Sequence, residues 1–452
     1  MAEEPAHRSP ACEVRRHLRH QLLGREQGIA GSPFPGLAGA VSHAMSGGAT
    51  RTGQRGRRQN MLTAAMVAPL VLFIVVVFLW PVARFLALSV DNSDISSNLS
   101  RTFAAIGDWQ PATGSPPEPL LDALVQDLAE ARNKGRDGVL AQLINQRQVG
   151  TRFLVIKTAK DAAEGKFDAR PVGDALLATY PGWADPALWT EIIRARGTLT
   201  AYYLLGSLDL QRSADGGIER VPADRAVFVD ALLRTIWISL VVTVVCAVLA
   251  IPVAQAIVSA PPAWSRIMFA LVLFPLWTSL LVRTVIWIIV LQKNGPVNAA
   301  LVFSGLVDTP LTLIYTRFSL YIAMIQVLLP LMVLSLVSVM RRVPASYMKA
   351  ALSLGAPWAT AWRRVQLPLI MPGLLAGSAI VFVFALGYYI TPILVGGPGD
   401  QMISSYIAFY TNTTLNWGLA AALSVQLLLV LLASAFLLWT ARVLTRRPAG
   451  AP

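Results

Sequence analysis

The chain is poor in charge: Asp, Glu, Lys and Arg make up 14% of its 452 residues, against roughly a quarter in soluble globular domains. A mean hydropathy of +0.55 goes with this, and the two together exclude an ordinary water-soluble fold. Cysteine is nearly absent as well. Cys12 lies in a polar stretch and Cys246 in an apolar run, so neither a disulfide framework nor a redox pair is indicated. The phosphate-gripping pattern GxxxxGK[ST] is missing, because the only Gly-Lys pair, Gly165-Lys166, is followed by Phe167. No two carboxylates have a spacing that calls for acid–base catalysis, and none sits with histidine in a metal-ligand pattern. The sequence therefore offers no catalytic residues, no metal ligands and no cofactor motif, and any ATP hydrolysis must come from another chain.

What is present is long apolar runs. Met61–Val90 reads as a first span, enough to cross a hydrocarbon core about 30 Å thick. Phe228–Val258, Ile267–Leu291, Phe318–Met340, Leu374–Val395 and Leu415–Val443 follow as five more. Between the first and second lies Asp91–Arg225, which has the composition of a soluble domain. Leu120, Leu121, Leu124, Val125 and Leu128 recur there at helical spacing, as do Leu188, Ile192 and Ile193, while RFLVIK at 152–157 reads as a short strand.

The net charge of +13 raises nucleic acid as a partner, but the charges are partitioned rather than patched. Asp91–Arg225 holds 18 of the 25 acidic and 15 of the 38 basic residues, leaving 23 basic against 7 acidic elsewhere. That is the bias expected of short cytoplasmic connections in a bilayer protein, not of a nucleic-acid footprint. Arg55, Arg57 and Arg58 before the first span, Arg341-Arg342 after the fourth and Arg442, Arg446 and Arg447 at the end are all satisfied by six spans with both termini inside. The insertion 91–225 then faces the periplasm. Residues 1–60 read as a basic, disordered cytoplasmic tail with no signal-peptide run, a start at Met45 or Met61 being the alternative, and 444–452 as a second short tail.

The most specific stretch is Lys349–Gly373, KAALSLGAPWATAWRRVQLPLIMPG, within a loop at 344–373. Pro344 disfavours helix at Val343 and stops the fourth span. Ser346 is placed to cap a helix over Tyr347–Leu354, Gly355-Ala356 to turn it, and Pro357 to open a second helix that runs over Ala359–Val365 until Pro368 ends it. Trp358, Trp362, Arg363 and Arg364 give that pair an aromatic and cationic face. The segment resembles the cytoplasmic coupling loop of binding-protein-dependent ABC importer permeases. The likeness rests on Lys349, Ala350 and Ala351 in the place of EAA, then Gly355-Ala356, Leu367-Pro368 and Pro372-Gly373. Lys349 departs from the usual acid, at a position where a glutamate would complete a capping box with Ser346.

Two further stretches, PLWTSLLVRTVIWIIVLQKNGPVNAAL at 275–301 and FALGYYITPILVGGPGDQMISSY at 384–406, are similar to spermidine/putrescine permeases. The resemblance implies an all-α polytopic membrane protein of the ABC importer permease type, with six transmembrane helices and a large, mostly helical periplasmic insertion after the first. It implies as partners an ATPase dimer, a second permease subunit, a periplasmic binding protein, a small-molecule substrate and the lipid bilayer of the bacterial inner membrane. Trp277, Arg283, Tyr388, Tyr389 and Thr391 are the candidate pathway residues. The tyrosines read either as cation-binding rings beside a helix broken at Gly387 and Pro392 or as interfacial anchors. Arg283 reads as snorkelling, or as pairing with backbone carbonyls, in a gating or structural role. Polyamine is the expected cargo; an opine, thiamine or ferric iron, or an ion-driven secondary transporter, are the alternatives.

Overall fold

A computed structural model describes residues 65–168, 171–213 and 216–445. The expectations for 1–60 and for the tail beyond 445 lie outside the described residues. The chain divides into two compact units at Trp80–Pro81. The first candidate span, α1 (Ala65–Ala87), straddles that boundary and includes a π turn at Val75–Leu79. Its apolar side chains from Met66 to Trp80 are largely exposed, as suits a helix solvated by lipid.

The insertion is a helical domain: α2 (Ser93–Asn98), α3 (Ser100–Ala105), α4 (Glu118–Asn133), α5 (Asp137–Arg147), α6 (Arg152–Ala163), α7 (Val172–Thr179), α8 (Pro186–Arg194) and α9 (Tyr202–Ser207). A two-stranded hairpin, β1 (Leu210–Arg212) with β2 (Ile218–Arg220), follows. The leucine stripe on α4 is buried throughout, and Leu188 and Ile192 of α8 belong to the same core. Trp183 and Trp189 are fully buried, and both indole N–H groups are satisfied: Trp183 Nε1 donates to Thr158 Oγ1 at 2.9 Å and Trp189 Nε1 to the Trp183 carbonyl at 2.7 Å. The expected strand at 152–157 is instead the start of α6. RFLVIK continues into TAKDAA, and burial falls on Val155, Thr158 and Ala159, a helical rather than an alternating repeat.

The membrane core begins with α10 (Phe228–Ser259). Its amino end is capped from a distance: Asp209 accepts the backbone N–H groups of Val227 and Phe228 on Oδ1, both at 3.1 Å, and of Val229 on Oδ2 at 2.8 Å. A carboxylate there meets both the orphan donors and the positive end of the helix dipole. The third apolar segment is broken rather than a single span over Ile267–Leu291. It comprises α11 (Pro262–Leu273), a 3-10 turn at Phe274–Trp277, α12 (Leu280–Leu291) and α13 (Pro296–Phe303). Pro275 and the extended Thr278 and Ser279 interrupt it, so the stretch long and apolar enough to cross is Leu280–Phe303, with Pro262–Trp277 a shorter apolar helix.

Next come α14 (Arg317–Met340), α15 (Ser346–Ser353), α16 (Trp358–Leu386), α17 (Ile390–Val395), α18 (Ile403–Asn412) and α19 (Trp417–Thr445). Helices α10, α14 and α16 pack mutually around Ile238, Val242, Met324, Leu328, Met332 and Val381. Six helices are long and apolar enough to cross a membrane among the described residues.

Candidate coupling corner and translocation path

The corner between α15 and α16 is closed at Gly355. Its φ is +82°, and the carboxyl end of α15 finishes with Gly355 N–H donating to the Leu352 carbonyl at 3.0 Å and Ala356 N–H to the Ala351 carbonyl at 3.2 Å. This left-handed closure fits glycine because any Cβ is strained in that conformation. A Cβ added there would meet no atom within 4 Å, so the requirement is conformational and the space beside it is open.

Three details differ from the sequence expectation. The cap residue of α15 is Ala345 with no side-chain cap bond, and Ser346 is already helical, which places Lys349 one position past the capping-box site. Pro357 is the cap residue of α16, with ψ of 146°, rather than its first helical residue. Pro368 does not end the second helix. Trp358–Ala361 passes through a π turn at Trp362–Gln366 into Leu367–Leu386, with Pro368 in the first turn after the π segment, where its missing N–H is tolerated. The second short helix and the fifth span are thus one continuous helix.

Lys349, Ala350 and Pro368 are exposed, as are Arg363 and Arg364, while Ala351, Ala356 and Leu367 are half-buried. Leu354 is 89% and Trp358 65% exposed. Trp358 stacks on Trp362 with ring centroids 6.4 Å apart and planes at 22°. Large apolar and cationic groups thus stand unburied around one turn, the kind of surface that marks an interaction site. Pro372 is exposed inside α16, and Gly373 is buried against α14.

Gly373 and Gly377 together form a close-packing seam that the sequence reading passed over. A Cβ at Gly373 would lie 2.8 Å from Val339 Cβ, and one at Gly377 2.6 Å from Met332 Sδ. Ser335 Oγ donates to the Gly373 carbonyl at 3.0 Å across the same contact. The GLLAG spacing at 373–377 is the legible sign, since small residues four apart let membrane helices approach closely.

At the opposite end of α16 the helix stops at Leu386, and Gly387–Tyr389 forms a break before α17. Pro392 stands in the first turn of α17, where its ring and missing N–H exclude a helical bond to the Tyr388 carbonyl, which Ser404 Oγ fills instead at 2.7 Å, so Gly387 and Pro392 bracket the break. Helix α17 packs on α12 and α14, which brings Thr391 and Tyr388 toward Arg283. Arg283 Nε and Nη1 are buried without a hydrogen-bond partner, and so is Thr391 Oγ1. The expected pairing of Arg283 with backbone carbonyls is not formed. Tyr389 is 39% exposed, whereas Trp277, in the 3-10 turn, is 81% exposed and is not drawn into this cluster. The surrounding loops are pinned by residues that no motif predicted. Arg317 Nε pairs with Asp400 Oδ1 at 2.7 Å, and Ser319 Oγ donates to the Val395 carbonyl at 2.7 Å. Asn298 Nδ2 donates to the Gln292 and Leu311 carbonyls at 3.1 and 3.0 Å.

Residues 231–449 match the family described as the binding-protein-dependent transport system inner membrane component. The "Inner membrane ABC transporter permease protein YdcU" of Escherichia coli K12 is 31% identical over 222 residues, 46% of this chain and 70% of that protein. This chain belongs to that permease family. The "Spermidine/putrescine transport system permease protein PotB" of the same organism is 29% identical over 221 residues, covering 49% of this chain and 80% of that one. A solved bacterial ABC transporter involved in the import of the acidic polysaccharide alginate aligns at 18% identity with a TM-score of 0.42, over 49% of this chain and 80% of that chain. In this permease the family match begins inside α10, so α1 and the insertion lie outside it.

Proposed function

We propose that this chain is one transmembrane half of an ATP-driven importer that carries a polyamine, putrescine or spermidine, inward across the bacterial inner membrane by alternating access. ATP hydrolysis belongs to a separate ATPase dimer, a second permease chain completes the pathway, and a periplasmic binding protein delivers the cargo. The observation that carries the importer reading is the exposed corner at Gly355, where Leu354, Trp358 and two arginines surround a left-handed turn at the start of the helix that runs on as the fifth span. Lys349, Ala350, Ala351, Gly355, Ala356, Leu367, Pro368, Pro372 and Gly373 are assigned to this ATPase-coupling corner.

The polyamine assignment is supported by the similarity to PotB of Escherichia coli over four-fifths of its length, and by aromatic rings at Tyr388 and Tyr389 that can meet alkylammonium groups. Uptake of radiolabelled putrescine and spermidine, in a strain lacking its own polyamine importers and expressing this chain with its neighbouring subunits, tests it. Uptake of neither would remove the cargo assignment. One observation favours a second reading, an anionic or oxygen-rich solute: Arg283 offers two buried N–H donors, near Tyr388, that have no partner among the described residues, and a cation gains nothing from them.

The sidedness proposed here puts 91–225 in the periplasm and both termini in the cytoplasm. A cysteine at the exposed Ser115, in a variant lacking Cys12 and Cys246, should react with an impermeant maleimide applied to intact cells with a permeabilised outer membrane. Labelling only after inner-membrane lysis would reverse the topology.

A further inference from the structure

Where the insertion meets the beginnings of the second and sixth spans lies a cavity of about 580 Å³. Its core wall is Phe228, Tyr410 and Leu419, and its insertion wall includes Tyr202 and Tyr203. Four arginines line it, Arg147, Arg194, Arg212 and Arg225, against two acids, Glu191 and Asp209. Both acids are already engaged. Asp209 holds three backbone N–H groups at the start of α10, and Glu191 Oε1 is paired with Arg194 at 2.7 Å.

The cationic side is less fully used. Arg147 donates one bond, from Nη2 to Asn92 Oδ1 at 2.9 Å, and lies 4.5 Å over the Tyr202 ring, while its Nε is buried with no partner at all. Arg225 has only a 3.8 Å contact with its exposed neighbour Asp224. The tyrosines add no negative charge, since burial pushes the Tyr202 phenol up to about 12, and its hydroxyl donates to the Gln146 carbonyl at 2.7 Å. A space with surplus N–H donors, spare positive charge and aromatic walls matches an oxyanion joined to an apolar body. It repels a polyamine, so it is separate from the cargo path proposed above.

We propose that this cavity binds a phosphate-bearing anion, seated by Arg147, Arg212 and Arg225, which cements the insertion onto the outer ends of the second and sixth spans. Two sources carry that chemistry: the headgroup of an anionic phospholipid, which basic pockets at membrane surfaces are known to recognise, and a free organic phosphate. The cavity lies where two spans begin, so a headgroup can reach it from the leaflet.

The test uses the assembled transporter in lipid nanodiscs, as wild type and as the Arg212→Gln/Arg225→Gln double variant, whose altered side chains make no hydrogen bond to another of the described residues. Three conditions are compared: phosphatidylcholine alone, phosphatidylcholine with phosphatidylglycerol, and phosphatidylcholine with soluble glycerol phosphate. Thermal unfolding of the insertion and lipid retention by native mass spectrometry are read. With phosphatidylglycerol the wild type should unfold at a higher temperature and retain that lipid, while the variant retains it about tenfold less well. Stabilisation of the wild type by glycerol phosphate alone would assign the site to a free anion. If neither probe stabilises the wild type more than the variant, the proposal is overturned. Because no uptake is measured, the result is independent of the cargo assignment.

Discussion

The insertion and the membrane core solve the same packing problem in opposite solvents. Nine of the ten ion pairs among the described residues lie in the insertion and one in the core, so only the insertion is built to be wetted all round. Its two large indoles, Trp183 and Trp189, are fully buried, and its buried Asp127 is answered by the Thr102 N–H and hydroxyl, both at 2.8 Å. The core keeps Trp237, Leu271, Leu281, Ile289, Phe436 and Leu437 exposed and leaves Arg283, Thr391, Ser239 and Ser405 with buried polar atoms unpaired. Unanswered buried polar atoms occur in the insertion too, at Arg147 Nε, so the difference lies in the apolar surface that the core leaves outside and lipid covers.

That contrast can be broken at several points. The largest effect is expected at Gly355→Asp, which forces a β-carbon and a charge onto a turn at φ +82°. Uptake should fall to background at unchanged membrane abundance, since nothing within 4 Å of the new Cβ obstructs folding. Gly355→Asn, which tolerates the left-handed region better, should retain part of it. Wild-type uptake by the Asp variant would remove the coupling role from this corner.

Trp183→Ala should cost the insertion about 3–5 kcal/mol, because the indole is fully buried and its loss also strands Thr158 Oγ1. Limited proteolysis of the full chain in detergent should then cut within 91–225 while the fragment from α10 onward persists. Simultaneous loss of both would show that the two regions do not hold their structure separately. Gly377→Leu should do the reverse at about 1–3 kcal/mol, overpacking α14 against α16; the core should melt earlier with the insertion's protease resistance unchanged.

The smallest effect is on pH. Hydrogen bonds from Lys166 and Tyr180 hold the Asp161 carboxyl below its ordinary range, so its contribution is present above the unfolded value and lost as pH falls through the folded one. Burial raises Asp127 instead, so its penalty grows as pH rises through the carboxylate range. Both effects fall on the acid side of the insertion's stability curve: Asp161→Asn should flatten its rise with pH, and Asp127→Asn should remove an opposing fall, by a few degrees at most. An unchanged curve in both variants would mean that neither carboxylate is linked to folding.

The apolar lengths and the glycine-proline punctuation made the spans and the coupling corner readable, because hydrocarbon thickness and positive φ each impose a strict demand on composition. The stop at Pro344 agrees with a fourth span that ends at Met340, but the stop at Pro368 does not hold, since that residue stands in the first turn after a π segment, where the local pattern has no need of its N–H. RFLVIK was misread because six residues rich in β-branched and aromatic side chains do not reveal a period that emerges only over twelve. Asp209 capping α10 and Asp400 pairing with Arg317 were invisible: each joins residues brought together only by the fold, and neither spacing has a signature. Among the pathway residues, the break at Gly387 was legible in the residue itself, whereas the separation of Trp277 from Arg283 depends on how the third segment is broken.

The unbroken run from Trp358 to Leu386 has a mechanical corollary. Its 29 residues form a rod about 43 Å long at 1.5 Å per residue. A tilt of about 10° about the Gly373–Gly377 seam moves the Leu386 end by roughly 3 Å and the Trp358 end by roughly 4 Å if the rod stays stiff. The π turn at Trp362–Gln366 is where such a rod gives, and the Gly373–Gly377 seam against α14 is where it pivots. On the importer reading proposed above, a crank with a compliant wrist and a narrow fulcrum would carry a modest tug beside Trp358 to Gly387, the point where the chain first leaves the helix.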